Sequence, residues 1–269
     1  MFRVRAIMGR FRLRMGGSIL SRSVFPWSML ACSILLAGCG ELRLPDGRVT
    51  HVAFGDSTTA GPSNRDYPDI LREMLGEPPE AFANEGEGGE TTAEGNDRLE
   101  ALIASDIYPN AAVWMYWEGG GDVIDFIQDN DPFLLLSPED ADFPLAGTLE
   151  DRLDQTQANI QRAIASMSGA GHTVLVATLF FIREDVGACP ALPLDILLPA
   201  QAANANAYLR LLNERIRTAA TSAGAILVDI AAVDETLGAS AENYFNCNHL
   251  SEAGNTIAAG VFRDALAGN

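Results

Sequence analysis

The feature that most constrains this chain is a regular alternation of two kinds of segment. Short apolar runs recur as "VTHVAF" (49–54), "EAFANEG" (80–86), "NAAVWMYW" (110–117), "HTVLVATLFF" (172–181) and "AILVDI" (225–230). Between them lie the amphipathic stretches "YPDILREML", "TAEGNDRLEALIAS", "LEDRLDQTQANIQRAIASM" and "ANANAYLRLLNERIRTAATSA", and "SEAGNTIAAGVFRDAL" closes the chain. Strands that alternate with helices at this spacing form a parallel sheet covered on both faces. The pattern contains no internal repeat and no linker, so one domain is expected over 48–269. Sheets of this kind bind ligands beyond the carboxyl ends of their strands. The residues just past each strand are therefore where chemistry is sought.

Ahead of the domain the chain has a different character. Arg3, Arg5, Arg10, Arg12, Arg14 and Arg22 fall in the first 24 positions, which hold no acid, and "WSMLACSILLAGC" (27–39) follows. Basic residues, an apolar run and then small residues are the layout of a secretory signal. The run is shorter than the roughly 20 residues a spanning helix needs. Leu36-Ala37-Gly38-Cys39 resembles the lipobox of bacterial lipoproteins. That resemblance implies a signal peptide over 1–38, a lipid such as palmitate on Cys39, and a tether over 39–47. It also implies a membrane anchor in the cell envelope with the domain facing the periplasm. Gly40, where an aspartate would favour retention, points to the outer membrane.

The cysteine count fits this compartment. Cys32 leaves with the signal and Cys39 takes the lipid, so Cys189 and Cys247 remain, and in an oxidising space a disulfide between them is expected. No metal site is expected, because two thiols and one histidine lack ligand spacing, and "DND" (129–131) lacks the spacing and glycine of a calcium loop. No cofactor is implied. All 18 basic residues are arginines; beyond the first 24 positions, 12 of them face 36 acids. A body so acidic repels nucleic acid, which is held largely through phosphate contacts, and suits a solvated surface.

Four stretches past the strands carry the chemistry. "FGDSTTAG" offers Ser57 in a tight turn; "NEGEGGET" (84–91) is rich in glycines whose N–H groups can approach an oxyanion; "WEGGGDV" (117–123) is a second glycine-rich turn; and "NCNHLSEAGN" holds His249 just before the last helix. A serine needs a base within hydrogen-bond reach to become a nucleophile. In this order the four resemble the blocks of the SGNH/GDSL hydrolases, over essentially the whole chain from Val49. The resemblance implies a three-layer α/β/α sandwich with a mainly parallel, flavodoxin-like sheet. It implies a serine ester hydrolase acting on acyl or O-acetyl esters through an acyl-serine intermediate. Ser57 would be the nucleophile and His249 the general base, with the backbone N–H groups of Ser57 and Gly89 in the oxyanion hole. His51 and His172, inside and at the start of strands, read as structural.

Two positions depart from the family pattern. Gly121 stands where the family has an asparagine that serves the oxyanion hole, and Asn246 stands where it has the aspartate that orients the histidine. Loss of one oxyanion donor costs roughly 10²–10³ in rate. An aspartate-to-asparagine change in a serine protease triad costs about 10⁴, through the wrong imidazole tautomer. Gly121 can offer its backbone N–H or leave room for water; Asn246 can accept from the ring, and Glu118, Asp122 or Glu242 are candidate substitutes for the missing acid. Two readings stay open: an esterase centred on Ser57, His249 and Asn246, or an impaired protein that binds an ester, glycan or lipid without turnover. The apolar loops 132–138 and 190–200 are candidates for an acyl pocket or lid, or for plain core packing.

Overall fold

The computed structural model describes residues 44–63, 65–186, 189 and 196–268. The expected signal peptide, Cys39 and the start of the tether lie outside the described residues.

The alternation yields five parallel strands: β1 (His51–Gly55), β2 (Phe82–Gly86), β3 (Val113–Trp117), β4 (Thr173–Ala177) and β5 (Ile226–Val228), in the order β2-β1-β3-β4-β5. Three of the strands are shorter than their apolar runs suggest by three or more residues. In β4 the run continues to 181, but the chain leaves the sheet after Ala177 and passes over its carboxyl edge. The central strands are apolar because both faces are covered: Val52, Phe54, Trp114, Met115, Tyr116, Trp117, Leu175 and Val176 are almost wholly buried.

The helices are α1 (Ser57–Ala60), α2 (Tyr67–Leu75), α3 (Thr92–Ser105), α4 (Gly120–Asn130), α5 (Ala146–Gly169), α6 (Pro199–Ala223), α7 (Asp234–Gly238) and α8 (Glu252–Ala267). α2 packs against α8 on one face of the sheet, and α3, α5 and α6 pack against one another on the other. The α2–α8 seam closes on a ring cluster: Tyr67 stacks on Phe262 at 4.6 Å and meets Trp117 edge-on at 5.2 Å. Each such side chain contributes roughly 1.5–3 kcal/mol by leaving water. The result is the expected three-layer α/β/α sandwich.

Two elements beside Ser57 and His249 were among those not legible in the hydrophobic pattern. The segment after β3 is a helix, α4, where its three glycines suggested only a turn. Gly119, with φ +117°, supplies the left-handed residue that starts it. The stretch before the last helix is a small hairpin, β6 (Tyr244–Asn246) paired with β7 (His249–Leu250). His51 stacks on Phe82 and His172 on Trp114, consistent with structural roles.

The expected disulfide joins Cys189 to Cys247, with Cα atoms 5.2 Å apart. It ties the hairpin turn to the segment that follows β4. Chain-entropy reasoning for a 58-residue separation gives a stabilisation of about 4 kcal/mol. Replacing both cysteines by serine should lower the unfolding free energy by about 2–5 kcal/mol in urea titrations, with the far-UV spectrum unchanged.

Candidate active site

The order β2-β1-β3 makes the chain reverse direction across β1, and the crevice at such a switch point is where open parallel sheets bind ligands. Ser57 sits there, two residues beyond the end of β1 and at the start of α1. Asp56 caps that short helix: its carboxylate accepts from the N–H of Thr58 at 2.8 Å and from the Thr58 hydroxyl, and it also accepts from the N–H of Gly120. Burial pushes the Asp56 carboxyl up to about 6, opposed by these donors.

The hairpin delivers the histidine. Asn246 and His249 are cross-strand partners, with Cys247 and Asn248 as the two turn residues. The Nε2 atom of His249 lies 2.9 Å from Ser57 Oγ, and its Nδ1 lies 3.0 Å from Asn246 Oδ1. Asn246 Oδ1 also accepts from the backbone N–H of Asn248 at 3.1 Å. That third contact decides the chemistry. A backbone N–H can only donate, so the side-chain atom facing it must be the carbonyl oxygen and not the NH₂. The same oxygen faces His249 Nδ1, which must then carry the ring proton. Nε2 is left with its lone pair towards the Ser57 hydroxyl, the tautomer a general base needs.

No carboxylate among the described residues bonds to the imidazole. Asp122 is buried and engaged by Thr92 N–H and Oγ1 at 2.8 and 2.9 Å and by Thr156 Oγ1 at 3.0 Å. Glu118 accepts from Tyr116 OH at 2.7 Å, and Glu242 is an exposed turn residue. None of the three substitutes for the missing acid. Burial alone holds the His249 imidazolium below its ordinary range, which keeps the ring neutral and able to accept a proton.

The candidate oxyanion side is built by the loop after β2 and the start of α4. Gly89 takes φ +83°, a conformation that favours glycine, and Gly88 lies against Ser57, a Cβ there meeting that of Ser57 at 3.8 Å. Gly121 is in the first turn of α4, whose N-terminal N–H groups lack helical partners. A Cβ on Gly121 would come 2.3 Å from the Glu90 carbonyl oxygen. An asparagine there has no space unless the backbone of the Glu90 loop moves, which is a physical reason for the glycine.

Ser57, Gly89, Gly121 and His249 open into one cavity of about 480 Å³. Its wall is apolar: Ile124 and Ile127 from α4, Leu179 and Phe180 after β4, and Leu209 from α6. Of the apolar loops singled out in the sequence, 132–138 and the described part of the second, 196–200, do not line this wall. In 132–138, Asp131 accepts from the N–H groups of Leu135 and Leu136, which turns the loop so that Leu134 is buried while Phe133 and Leu135 face outward. In the second, 190–195 lie outside the described residues, Leu197 is buried, and Ile196 and Leu198 are exposed.

Gly121→Asn should therefore lower stability by about 1–3 kcal/mol, as overpacking does, readable as a shifted urea midpoint. An unchanged midpoint would mean that the Glu90 loop yields freely.

Known proteins match this architecture. The GDSL-like lipase/acylhydrolase family profile covers residues 53–257. A sequence search of the curated proteins found no match. Among solved structures, a member of the lipolytic G-D-S-L family from Veillonella parvula is 16% identical with a TM-score of 0.57, covering 81% of this chain and 97% of that one. A variant of an acetyl-xylooligosaccharide esterase from Geobacillus stearothermophilus is 18% identical with a TM-score of 0.55, covering 84% and 96%. A lipase/acylhydrolase from Enterococcus faecalis is 16% identical with a TM-score of 0.54, covering 82% and 96%. These structures share the fold; the profile, which spans most of the chain, gives the family, and the chain belongs to the GDSL-like lipase/acylhydrolases.

Proposed function

We propose that this chain is a serine ester hydrolase in which Ser57 is the nucleophile, His249 the general base and Asn246 the residue that orients the base. The observation that carries the reading is the unbroken row from the Asn248 N–H through Asn246 Oδ1 and His249 to Ser57 Oγ. Nε2 takes the Ser57 proton as Oγ attacks the ester carbonyl, and the oxyanion accepts hydrogen bonds from the backbone N–H groups of Ser57, Gly89 and Gly121. The protonated ring then gives its proton to the departing alcohol oxygen. Water repeats the sequence to free the acid and restore the serine.

An amide in place of the acid makes the imidazolium less stable, but the tautomer is right. Most of the roughly 10⁴ loss seen when a triad amide selects the wrong tautomer is thereby avoided. The apolar cavity wall favours an acyl chain of several carbons over the bare acetyl group that the neighbouring acetyl-xylooligosaccharide esterase removes, according to its name. Anchoring through Cys39 at the cell envelope is part of the same proposal, supported by the Leu36-Ala37-Gly38-Cys39 run. Among the described residues no helix is long and apolar enough to cross a membrane.

A fluorophosphonate probe followed by intact mass tests the serine directly. The chain lacking residues 1–39 should gain one adduct and Ser57→Ala none; no adduct on either would favour ligand binding without turnover. With p-nitrophenyl esters, kcat/KM should rise roughly 10-fold from acetate to butyrate, at about 0.8 kcal/mol for each buried methylene. An acetate preference would point to an O-acetyl substrate instead.

The pH profile separates the roles. Because the His249 pKa is lowered, the base stays neutral and active below pH 6.5, and activity is lost only as pH falls through the depressed value. Asn246→Asp adds a carboxylate that stabilises the imidazolium, so its acid limb should lie at higher pH than the parent's, with a gain in kcat well short of about 10⁴. Asp56 is common to both proteins, so the difference between them isolates His249.

A further inference from the structure

Glu118, Glu90 and Arg98 form a buried group that the hydrolytic steps above do not use. Glu90 follows Gly89 directly and is nearly buried, and its carboxylate is gripped by Arg98 through Nε at 2.8 Å and through Nη2. The other Arg98 donors reach backbone: Nη1 to the Glu85 carbonyl at 2.9 Å, and Nη2 to the Gly55 carbonyl at 3.4 Å. Gly55 is the end of β1, two residues before Ser57. The guanidinium lies over the Phe54 ring, 4.0 Å from its centre. One cation thus ties the loop of Gly89 to the turn of Ser57.

Glu118 completes the group from the third side. It follows β3, is only 1% exposed, accepts from Tyr116 OH through Oε2, and has the Glu90 carboxylate as a close negative neighbour. Two carboxyl groups can bond to each other only if a proton lies between them. Glu90 is committed to Arg98, and Glu118 Oε1 finds no donor of its own, so the proton belongs on Glu118. Helix α3 packs onto this carboxyl at Gly95, where a Cβ would meet Glu118 Oε1 at 2.4 Å, so the carboxyl has little room to turn away. The groups that face it are Tyr116 on β3, Asp56 beside Ser57, Glu90 on the oxyanion loop and Arg98 on α3. Burial first, and then these negative neighbours, push its titration well above the ordinary carboxyl range.

We propose that Glu118, as a proton-bearing carboxyl, and Arg98 are positioning residues that hold the Gly89 N–H in register with Ser57 Oγ for the hydrolysis proposed above. The chain runs from Tyr116 OH to Glu118, from the Glu118 hydroxyl to Glu90, and from Glu90 to Arg98 and the Gly55 carbonyl. It joins the loops after β1, β2 and β3. When Glu118 gives up its proton, two carboxylates face each other and the loop carrying Gly89 is released.

Glu118→Gln and Glu118→Ala test this, since glutamine keeps a neutral side chain that can accept from Tyr116 and donate to Glu90. Glu118→Gln should fold, hold kcat within about threefold of the parent at neutral pH, and keep that kcat to higher pH than the parent does. Glu118→Ala should lose roughly 10²-fold in kcat with little change in KM, as a small misplacement of an oxyanion donor does. The idea is overturned if Glu118→Gln fails to fold, falls as far as Glu118→Ala, or shows the parent's alkaline limb. Infrared spectra decide it without turnover. At pH 8, above the titration of Asp56, the parent should show a protonated carboxyl C=O band that Glu118→Gln lacks. If the band is present and no ester is hydrolysed, only the esterase reading fails; if the parent has no band, the positioning role fails whatever the turnover.

Discussion

The site depends on one backbone hydrogen bond, from the N–H of Asn248 to Asn246 Oδ1. An asparagine beside a histidine is ambiguous, because its oxygen and nitrogen ends differ little in shape and select opposite ring tautomers. The hairpin removes the ambiguity. Its two-residue turn points a donor at the asparagine side chain, so the oxygen must face inward, the proton must sit on Nδ1, and Nε2 must face the serine. A contact worth about 1 kcal/mol as a hydrogen bond selects between a working base and an idle one. The disulfide at Cys247 holds the same turn to the segment after β4 and limits how far it can stray.

The second constraint is crowding at the carboxyl edge of the sheet. Three loops converge there, and the space between them is so small that Gly121 lies against the Glu90 carbonyl and α3 lies against Glu118 at Gly95. The glycine in place of the family's asparagine fits this crowding: an extra donor side chain would displace the loop that carries another donor. The N-terminal turn of α4 offers backbone N–H groups instead, which are held by the helix and need no side-chain ordering. In the proposed hydrolysis, the departure from the family pattern is an exchange of one donor type for another within a tighter site.

Much of this was legible in the residues because parallel strands buried on both faces leave unbroken apolar runs, and the five runs predict the five strands in order. Ser57, Gly89 and His249 were legible because each lies just beyond a strand or before a helix, where such folds carry their chemistry. Helix α4 was not, since three glycines in a row signal a break, and only the close approach of Glu90 and the φ of Gly119 explain why a helix starts there. The apolar stretch at 132–138 stayed open between pocket and core packing because hydrophobicity alone does not give direction: Asp131 turns the loop so that Leu134 is buried while Phe133 and Leu135 face outward. The amide orientation of Asn246 was out of reach, since it depends on where a neighbouring N–H points. The carboxyl chain through Glu118 and Glu90 was likewise hidden, because three loops distant in sequence must meet before a proton is shared.

The most direct test of the account is the tautomer of His249. In ¹⁵N-histidine-labelled protein at neutral pH, two-bond nitrogen–carbon-proton correlations distinguish a ring protonated at Nδ1 from one protonated at Nε2. His249 should be neutral with its proton on Nδ1. A ring protonated on Nε2 would mean that the amide faces the other way, that no lone pair is offered to Ser57, and that the hydrogen-bonded row read here does not operate.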